Sequence, residues 1–312
     1  SDVCSSDLTI IIAPADGRNV ICIDANSAAP AAARAEMFKP DAAGKVPGRV
    51  NELGWLAAGV PGILAGLQLA LDRHGTRRLS DCIRPSIALA RDGFVLPANI
   101  ATAIKNFAGP LTSHPGGRTL FKRDGRLPVA GEKLRNPELA AVLETLAQRN
   151  SVDSFYRGDL ALRVAEDFAR YGGLVTAADL AAYQARAVEP LRLRWDDREV
   201  CTPPLTAGGL TVLQCLGTLR ALRWGEMAPG IEREHAYLEA LRFAWRDRLA
   251  LLGDPTQAKV PQDKLLSTAY AEETAAQVRS VVAAGKIIPH AATARPAVSA
   301  VAPTAASGPA SR

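Results

Sequence analysis

Residues 53–71, LGWLAAGVPGILAGLQLAL, carry no charged side chain. Nineteen uncharged residues are long enough to span a bilayer as a helix. Such a run must either cross a membrane or be buried in protein. Pro61, Gln68 and four Gly interrupt it, and Asp72 and Arg73 follow at once. The run is therefore expected to be a buried connector leading into a helix that starts near Pro61, a favoured first-turn residue. Gly59, Gly62 and Gly66 recur near that helix start. Backbone amides there could hold an anion, but close packing of the helix on a neighbour is the favoured reading. No membrane span is expected.

The flanking sequence alternates short strands with amphipathic helices. Residues 9–24, TIIIAPADGRNVICID, predict a β-hairpin turning at Asp16-Gly17. Residues 190–204 predict a second, with Leu191, Leu193 and Trp195 alternating with Arg192 and Arg194 about an Asp196-Asp197 turn. Ser80 is placed as the N-cap of one helix that Gly93 ends. Asn136-Pro137 open a second helix, with a stripe of Leu139, Val142, Leu143 and Leu146. Asp159 is placed as cap of a third, with Leu160, Val164 and Phe168 on one face, and TAAD at 176–179 has the spacing of a capping box. A Gly-led turn enters a helix near 209. Leu238, Leu241, Trp245 and Leu249 make the clearest apolar stripe, and another helix lies near 268–284. From 291 onward, nine Ala, three Pro and three Ser with no acid or aromatic predict a disordered linker over 291–312.

Composition closes off several functions. Aromatics are only 5% of residues, so the core must be built from aliphatic side chains. The net charge of +5 comes from dispersed Lys and Arg. Nucleic-acid binding, which wants a basic stripe with stacking aromatics, is not expected. Cys4, Cys22, Cys82, Cys201 and Cys215 lie far apart, as do His74, His114, His235 and His290, so neither disulfides nor a metal site is indicated. Cys22, Cys82, Cys201 and Cys215 are expected to be buried free thiols. Adjacent Ser113 and His114 precede Pro115-Gly116-Gly117, which predicts a turn rather than a nucleophile and its base. Asp247, between Arg246 and Arg248, is expected in a structural ion pair. The residues alone assemble no active site and call for no cofactor or metal.

Longer strings are more specific. GWLAAGVPGILAGLQLALDRHGTRRLSDCIRPSIALARDGF (54–94), FYRGDLALRVAEDFARYGGLVTAADLAAYQARAVEPL (155–191), TPPLTAGGLTVLQCL (202–216) and EALRFAWRDRLALLGDP (239–255) resemble, in order and spacing, segments of the γ-glutamyltransferase (γ-glutamyl transpeptidase, glutathione hydrolase) family. The resemblance covers roughly 10–290. It implies an α+β fold, the αββα sandwich of N-terminal-nucleophile hydrolases, here incomplete and helix-rich because only the large-subunit part is present. It implies a precursor that cuts itself to expose a Thr, whose hydroxyl attacks a γ-glutamyl amide while its own α-amine serves as base.

That Thr lies in a Thr-Thr-His-like string after a small-residue linker, and this chain has no Thr-Thr pair. The nucleophile is therefore expected beyond Arg312, in a small subunit that is the natural partner. The 312 residues alone are expected to be inactive, poorly soluble and to carry no catalytic residue. The family's Arg for the substrate α-carboxylate falls, in the string IDANSAAP, on Asn26, with Ser27 in the position of a Glu. Asn26 is thus the expected substrate-binding residue. It keeps open a relative acting on another amide or acyl substrate, and beyond it a catalytically dead binding module. Localisation stays open. Finally, residues 1–8, SDVCSSDL, are expected to be a translated sequencing adapter joined to the gene at about Leu8. Cys4, Asp2 and Asp7 would then be foreign, residues 9–290 the large-subunit portion, and residues 9–312 would carry +7 (37 basic less 30 acidic).

Overall fold

A computed structural model describes residues 7–34, 36–122, 124–255 and 258–285. The linker expected at 291–312, most of the extension at 1–8 with Cys4 and Asp2, and His290 lie outside the described residues. Contacts divide the chain into two units: residues 7–9 with 23–186, and 10–22 with 187–285.

Strands β1 (Thr9–Ile12) and β2 (Ile21–Asp24) are neighbours, as the Asp16-Gly17 signal predicts. Gly17 takes a positive φ of 68°, and its N–H donates to the Pro14 carbonyl at 2.9 Å.

The uncharged run resolves into a half-buried connector and α1 (Ile63–His74). With 12 residues, α1 is too short to cross a membrane, and no helix among the described residues is long and apolar enough. The helix begins two residues after Pro61, with Gly62 as its N-cap and no side chain capping it. A tertiary contact meets the free backbone groups instead. The buried Tyr156 hydroxyl accepts from the Ala65 N–H at 3.1 Å and donates to the Pro61 carbonyl at 2.9 Å.

Two further capping expectations need correction. Helix α2 (Leu79–Asp92) starts one residue before Ser80, whose side chain caps nothing. The Ser80 N–H is met by the Asn150 side chain at 3.2 Å. Gly93, with φ 84°, ends α2 as expected. Then follow β3 (Phe94–Val95), α3 (Ala98–Asn106), α4 (Ala108–Leu111) and α5 (Pro115–Phe121). The Pro115-Gly116-Gly117 turn is thus the first turn of a helix, with Pro at a position that needs no N–H donor.

Strand β4 (Lys133–Leu134) pairs antiparallel with β3. Helix α6 (Pro137–Arg149) is capped by Asn136, which accepts from the Leu139 N–H at 3.0 Å. Of its predicted stripe, Leu146 is buried, whereas Leu139 is exposed. Helix α7 (Asp153–Arg157) leads into α8 (Asp159–Tyr171), where Gly158, not Asp159, is the N-cap. Asp159 instead pairs with Arg149, which holds its carboxyl below the usual carboxylate range. Helix α9 (Ala177–Ala182) carries the predicted capping box in full. Thr176 accepts from the Asp179 N–H at 3.1 Å, and Asp179 accepts from the Thr176 N–H at 2.9 Å.

Strand β5 (Arg186–Val188) is third in the order β1-β2-β5. Strands β6 (Leu191–Trp195) and β7 (Arg198–Thr202) form the second predicted hairpin, pairing Leu191 with Thr202 and Trp195 with Arg198. Leu191 and Leu193 are buried against Leu210 and Leu213 of α10 (Gly209–Ala221). Helix α10 packs in turn on α11 (Ile231–Leu251), which α12 (Gln262–Leu265) and α13 (Thr268–Ala283) follow.

Helix α11 reverses the face its pattern predicts. Its inward side is Ala236, Ala240, Phe243 and Ala244, with Glu239 and Asp247. Leu238, Leu241, Trp245 and Leu249 are exposed. Small Ala residues let α10 and α13 approach closely, so the larger apolar stripe is left outside.

Two of the thiols also differ from expectation. Cys22 and Cys215 are buried, but Cys82 is exposed on α2 and Cys201 is half-buried on β7; Cys82, Cys201 and Cys215 are free thiols. Burial pushes the Cys215 thiol up to about 11, so it stays protonated.

Candidate functional site

The chain leaves β2 through Asp24-Ala25-Asn26-Ser27-Ala28, and three glycines are cut away to receive it. A Cβ on Gly66 would stand 2.3 Å from the Ala25 methyl carbon. One on Gly62 would stand 2.2 Å from the Ala25 carbonyl oxygen, and one on Gly59 2.9 Å from that of Ala28. Ala28 and Val60 exchange backbone hydrogen bonds of 3.1 and 2.8 Å. The glycines of the uncharged run are therefore there for close approach, as predicted. Their partner is the segment that bears Asn26.

Asn26 is half-buried, and its side chain does not bond its own backbone. Its Nδ2 donates to Asp24 Oδ1 at 2.8 Å, and its N–H donates to the same oxygen at 3.2 Å. An ionised carboxylate only accepts, so the amide nitrogen must face Asp24. The Asn26 side-chain oxygen, Oδ1, accepts no hydrogen bond among the described residues. Asp24 Oδ2 accepts from Arg186 Nη2 at 2.7 Å. Asp24 is nearly buried, whereas the Arg186 guanidinium is mostly exposed.

The Tyr183 hydroxyl donates to the Asn26 carbonyl of the main chain at 2.6 Å. Its ring stacks on Tyr156, with centroids 5.7 Å apart. Burial, with Tyr156 and Asp24 nearby, pushes the Tyr183 phenol well up, so it remains a donor. Asp179, besides its capping role, accepts from the Ala31 N–H at 2.8 Å. Burial works against its charge, but hydrogen bonds from Thr176 and Ala31 outweigh it and hold the carboxyl low. The sequence reading named Asn26 and Ser27 but not the residues that hold this segment, Asp24, Tyr183 and Arg186. Separations of 157 and 162 residues left no local signal for the last two.

Ser27 is exposed, and its N–H and hydroxyl both donate to Asp7 Oδ1, at 2.7 and 2.6 Å. It borders a cavity of about 850 Å³ walled by Trp55, Phe107, Leu111, His114 and Phe168. That volume suits a small-molecule ligand. The Trp55 indole N–H donates to His114 Nδ1 at 3.3 Å, so the neutral imidazole carries its proton on Nε2. Ser113 bonds the Pro110 carbonyl rather than His114. The adjacent pair is not a nucleophile and base.

Asp247 lies in the other unit, 4% exposed. It accepts from Arg246 at 2.9 Å, from Gln214 at 2.5 Å and from the Tyr270 hydroxyl at 2.6 Å. This is the structural pairing expected of it, with two partners the sequence did not indicate. Among the described residues no group of three His, Cys, Asp or Glu is placed to hold a metal.

Comparison with known proteins matches most of the chain to one family. The profile of the gamma-glutamyltranspeptidase family matches residues 6–303. The glutathione hydrolase proenzyme of Escherichia coli K12 is 33% identical over 282 residues, 87% of this chain and 48% of its own length. The acylase ACY 1 proenzyme of Pseudomonas sp. strain SE83 is 35% identical over 271 residues, 85% of this chain and 48% of its own. The crystal structure of Helicobacter pylori gamma-glutamyltranspeptidase superimposes with a TM-score of 0.81 at 28% identity, covering 87% of this chain and 78% of that one. The chain thus spans about half the length of the curated relatives it matches.

Proposed function

The chain belongs to the gamma-glutamyltranspeptidase family, and from that premise we propose that it is the large-subunit part of a self-cleaving amide hydrolase or transferase. The observation that carries this reading is the setting of residues 24–28. The family match spans the segment, three glycines seat it, and Tyr183 clasps it. A chain this fixed presents Asn26 and Ser27 in one geometry, which positioning catalysis requires. The nucleophilic Thr belongs to the remaining half of the precursor, the small subunit. Its hydroxyl attacks the amide carbonyl, its α-amine takes the proton, and the acyl group passes to water or an amine.

The substrate is a γ-glutamyl amide or another acyl amide, and the site supports a choice between them. Asn26 offers its side-chain oxygen, which repels a carboxylate. One guanidinium, that of Arg186, is held on Asp24. A γ-glutamyl α-carboxylate would have to be met by Arg186. An acyl group without that carboxylate would meet the Asn26 side-chain oxygen through an N–H or O–H donor. The aromatic cavity beside Ser27 and the similarity to an acylase proenzyme favour the second substrate class.

Release of p-nitroaniline from γ-glutamyl and from simple acyl anilides tests both statements. Residues 9–312 alone should release none, and turnover by that chain free of contaminating enzyme overturns the assignment. The longer gene product should cut itself in two and turn over. There Asn26→Arg should raise γ-glutamyl over acyl turnover by tenfold or more, on the order of 1.4 kcal/mol. An unchanged ratio removes Asn26 from substrate selection.

Residues 1–8 we read as foreign. On that reading Asp7, which accepts from Ser27, is not its native partner. Sequencing reads that run continuously through the Leu8 codon into a different upstream sequence support this. Reads that retain the octet in the genome contradict it.

A further inference from the structure

The aromatic wall of the cavity beside Ser27 is fixed before anything enters it. The Trp55 ring stacks on Tyr171, with centroids 4.9 Å and planes 20° apart, and stands edge-on to Phe168 at 5.0 Å. Its indole N–H is tied to His114 Nδ1 at 3.3 Å, and His114 in turn stands edge-on to Tyr171 at 5.4 Å. Rings held on several sides lose little freedom when a ligand arrives, which favours binding.

Charge says what that ligand is not. The chain has 37 Lys and Arg, yet none of the described residues lining the cavity is either. The ionised groups lining it are the acids Glu52 and Asp7. Glu52 is already held by Arg49, at 2.9 and 2.6 Å on one oxygen, and Asp7 belongs to the segment read as foreign. A carboxylate entering here would leave water and find no cation, which is costly. An uncharged ring would pack on Trp55, Phe107 and Phe168 at no such cost. The wall also carries a polar donor. Because His114 Nδ1 accepts from Trp55, Nε2 bears the proton, and it donates to nothing among the described residues. An amide oxygen is an acceptor that suits it.

We propose that this cavity binds the aryl-bearing part of an uncharged amide, its ring among Trp55, Phe107 and Phe168 and its oxygen on the His114 Nε2–H. This rests on the reading of the chain as part of an amide hydrolase, and it narrows the acyl class to neutral aromatic acyl groups. Trp55 and His114 then determine specificity and take no part in bond cleavage.

The test is isothermal titration of the 312-residue chain with benzamide and with benzoate, an anion of the same shape. Benzamide should bind with a Kd below about 1 mM, an ordinary affinity for about nine non-hydrogen atoms. Benzoate should bind at least tenfold more weakly. Gly109 lines the cavity, and a Cβ there meets nothing within 4 Å, so Gly109→Leu fills free space. That variant should weaken benzamide at least tenfold. His114→Phe, which keeps a ring in the wall, should weaken it several-fold, and His114→Gln should restore most of the loss. Equal binding of the two probes overturns the proposal, as does binding that Gly109→Leu leaves unchanged. So does a cooperatively melting chain that takes up neither probe. The longer gene product should bind benzamide equally well, and loss of binding there gives the cavity to the rest of the precursor and overturns the proposal too. Titration reads no turnover. A failed hydrolase assignment would therefore leave the binding result standing, and failed binding would leave that assignment standing.

Discussion

A single carboxylate decides what Asn26 can do. Because Asp24 takes both the Asn26 amide nitrogen and its N–H, the residue presents an acceptor where the family resemblance implies a cation. The family resemblance singles out this position, but what Asn26 presents there depends on Asp24 two residues back and Arg186 on another strand. Tyr183 matters in the same way. Replacing it with Phe keeps the stacked ring and removes the hydrogen bond to the Asn26 main chain. A net loss of about 1 kcal/mol is expected, because a neutral hydrogen bond contributes about that much. Urea denaturation measures it. A loss below about 0.3 kcal/mol would mean the phenol does not hold the segment.

Among the elements, those with their own local chemistry were legible. The capping box at Thr176–Asp179 and the Asn136-Pro137 start stand as the sequence places them, because each satisfies its own backbone. Helix α1 starts near Pro61 as placed, its backbone met by Tyr156, whereas the cap of α2 did not read correctly, because the group that meets its backbone is Asn150 elsewhere in the chain. The pattern of α11 gave its stripe but not its direction. Periodicity reports that one face is apolar, and only the Ala-rich face opposite shows which side the neighbours can approach. The glycines are testable at this scale. Gly66→Ala forces a methyl into the space of Ala25 and should cost about 1–3 kcal/mol, the usual range for overpacking. Gly109→Ala in α4, where a Cβ meets nothing within 4 Å, should be neutral or slightly stabilising. Equal thermal shifts for the two would remove close approach as the reason for Gly66.

For the molecule as a whole, the α+β fold and the family were legible from long ordered strings, not from composition or from any one motif. The polar network of Asp247, Gln214, Arg246 and Tyr270 was only half visible, since α10 and α13 bring two of its members from afar. It has a global readout. Burial and the bond to Asp247 push the Tyr270 phenol up from 10.0 to about 12. The unfolded chain therefore loses that proton first as pH rises. The contribution is complete below about pH 10 and is lost as pH climbs through the folded value near 12. Urea midpoints between pH 8 and 12 should fall over that window. Tyr270→Phe should flatten the fall and lower the midpoint at neutral pH, because Asp247 then lacks a donor. An unaltered alkaline slope would show that Tyr270 ionises as it does in the unfolded chain.

The tight seat of Ala25 against Gly62 and Gly66 also limits how this protein can change its trade. The residue between Asp24 and Asn26 has no room for any side chain larger than methyl, and the two glycines have no room for any side chain at all. Sequence variation in this segment must therefore enter through Asn26, Ser27 and the side chains around them, while their neighbour stays small. The fold holds one position rigid and leaves the positions after it free to change.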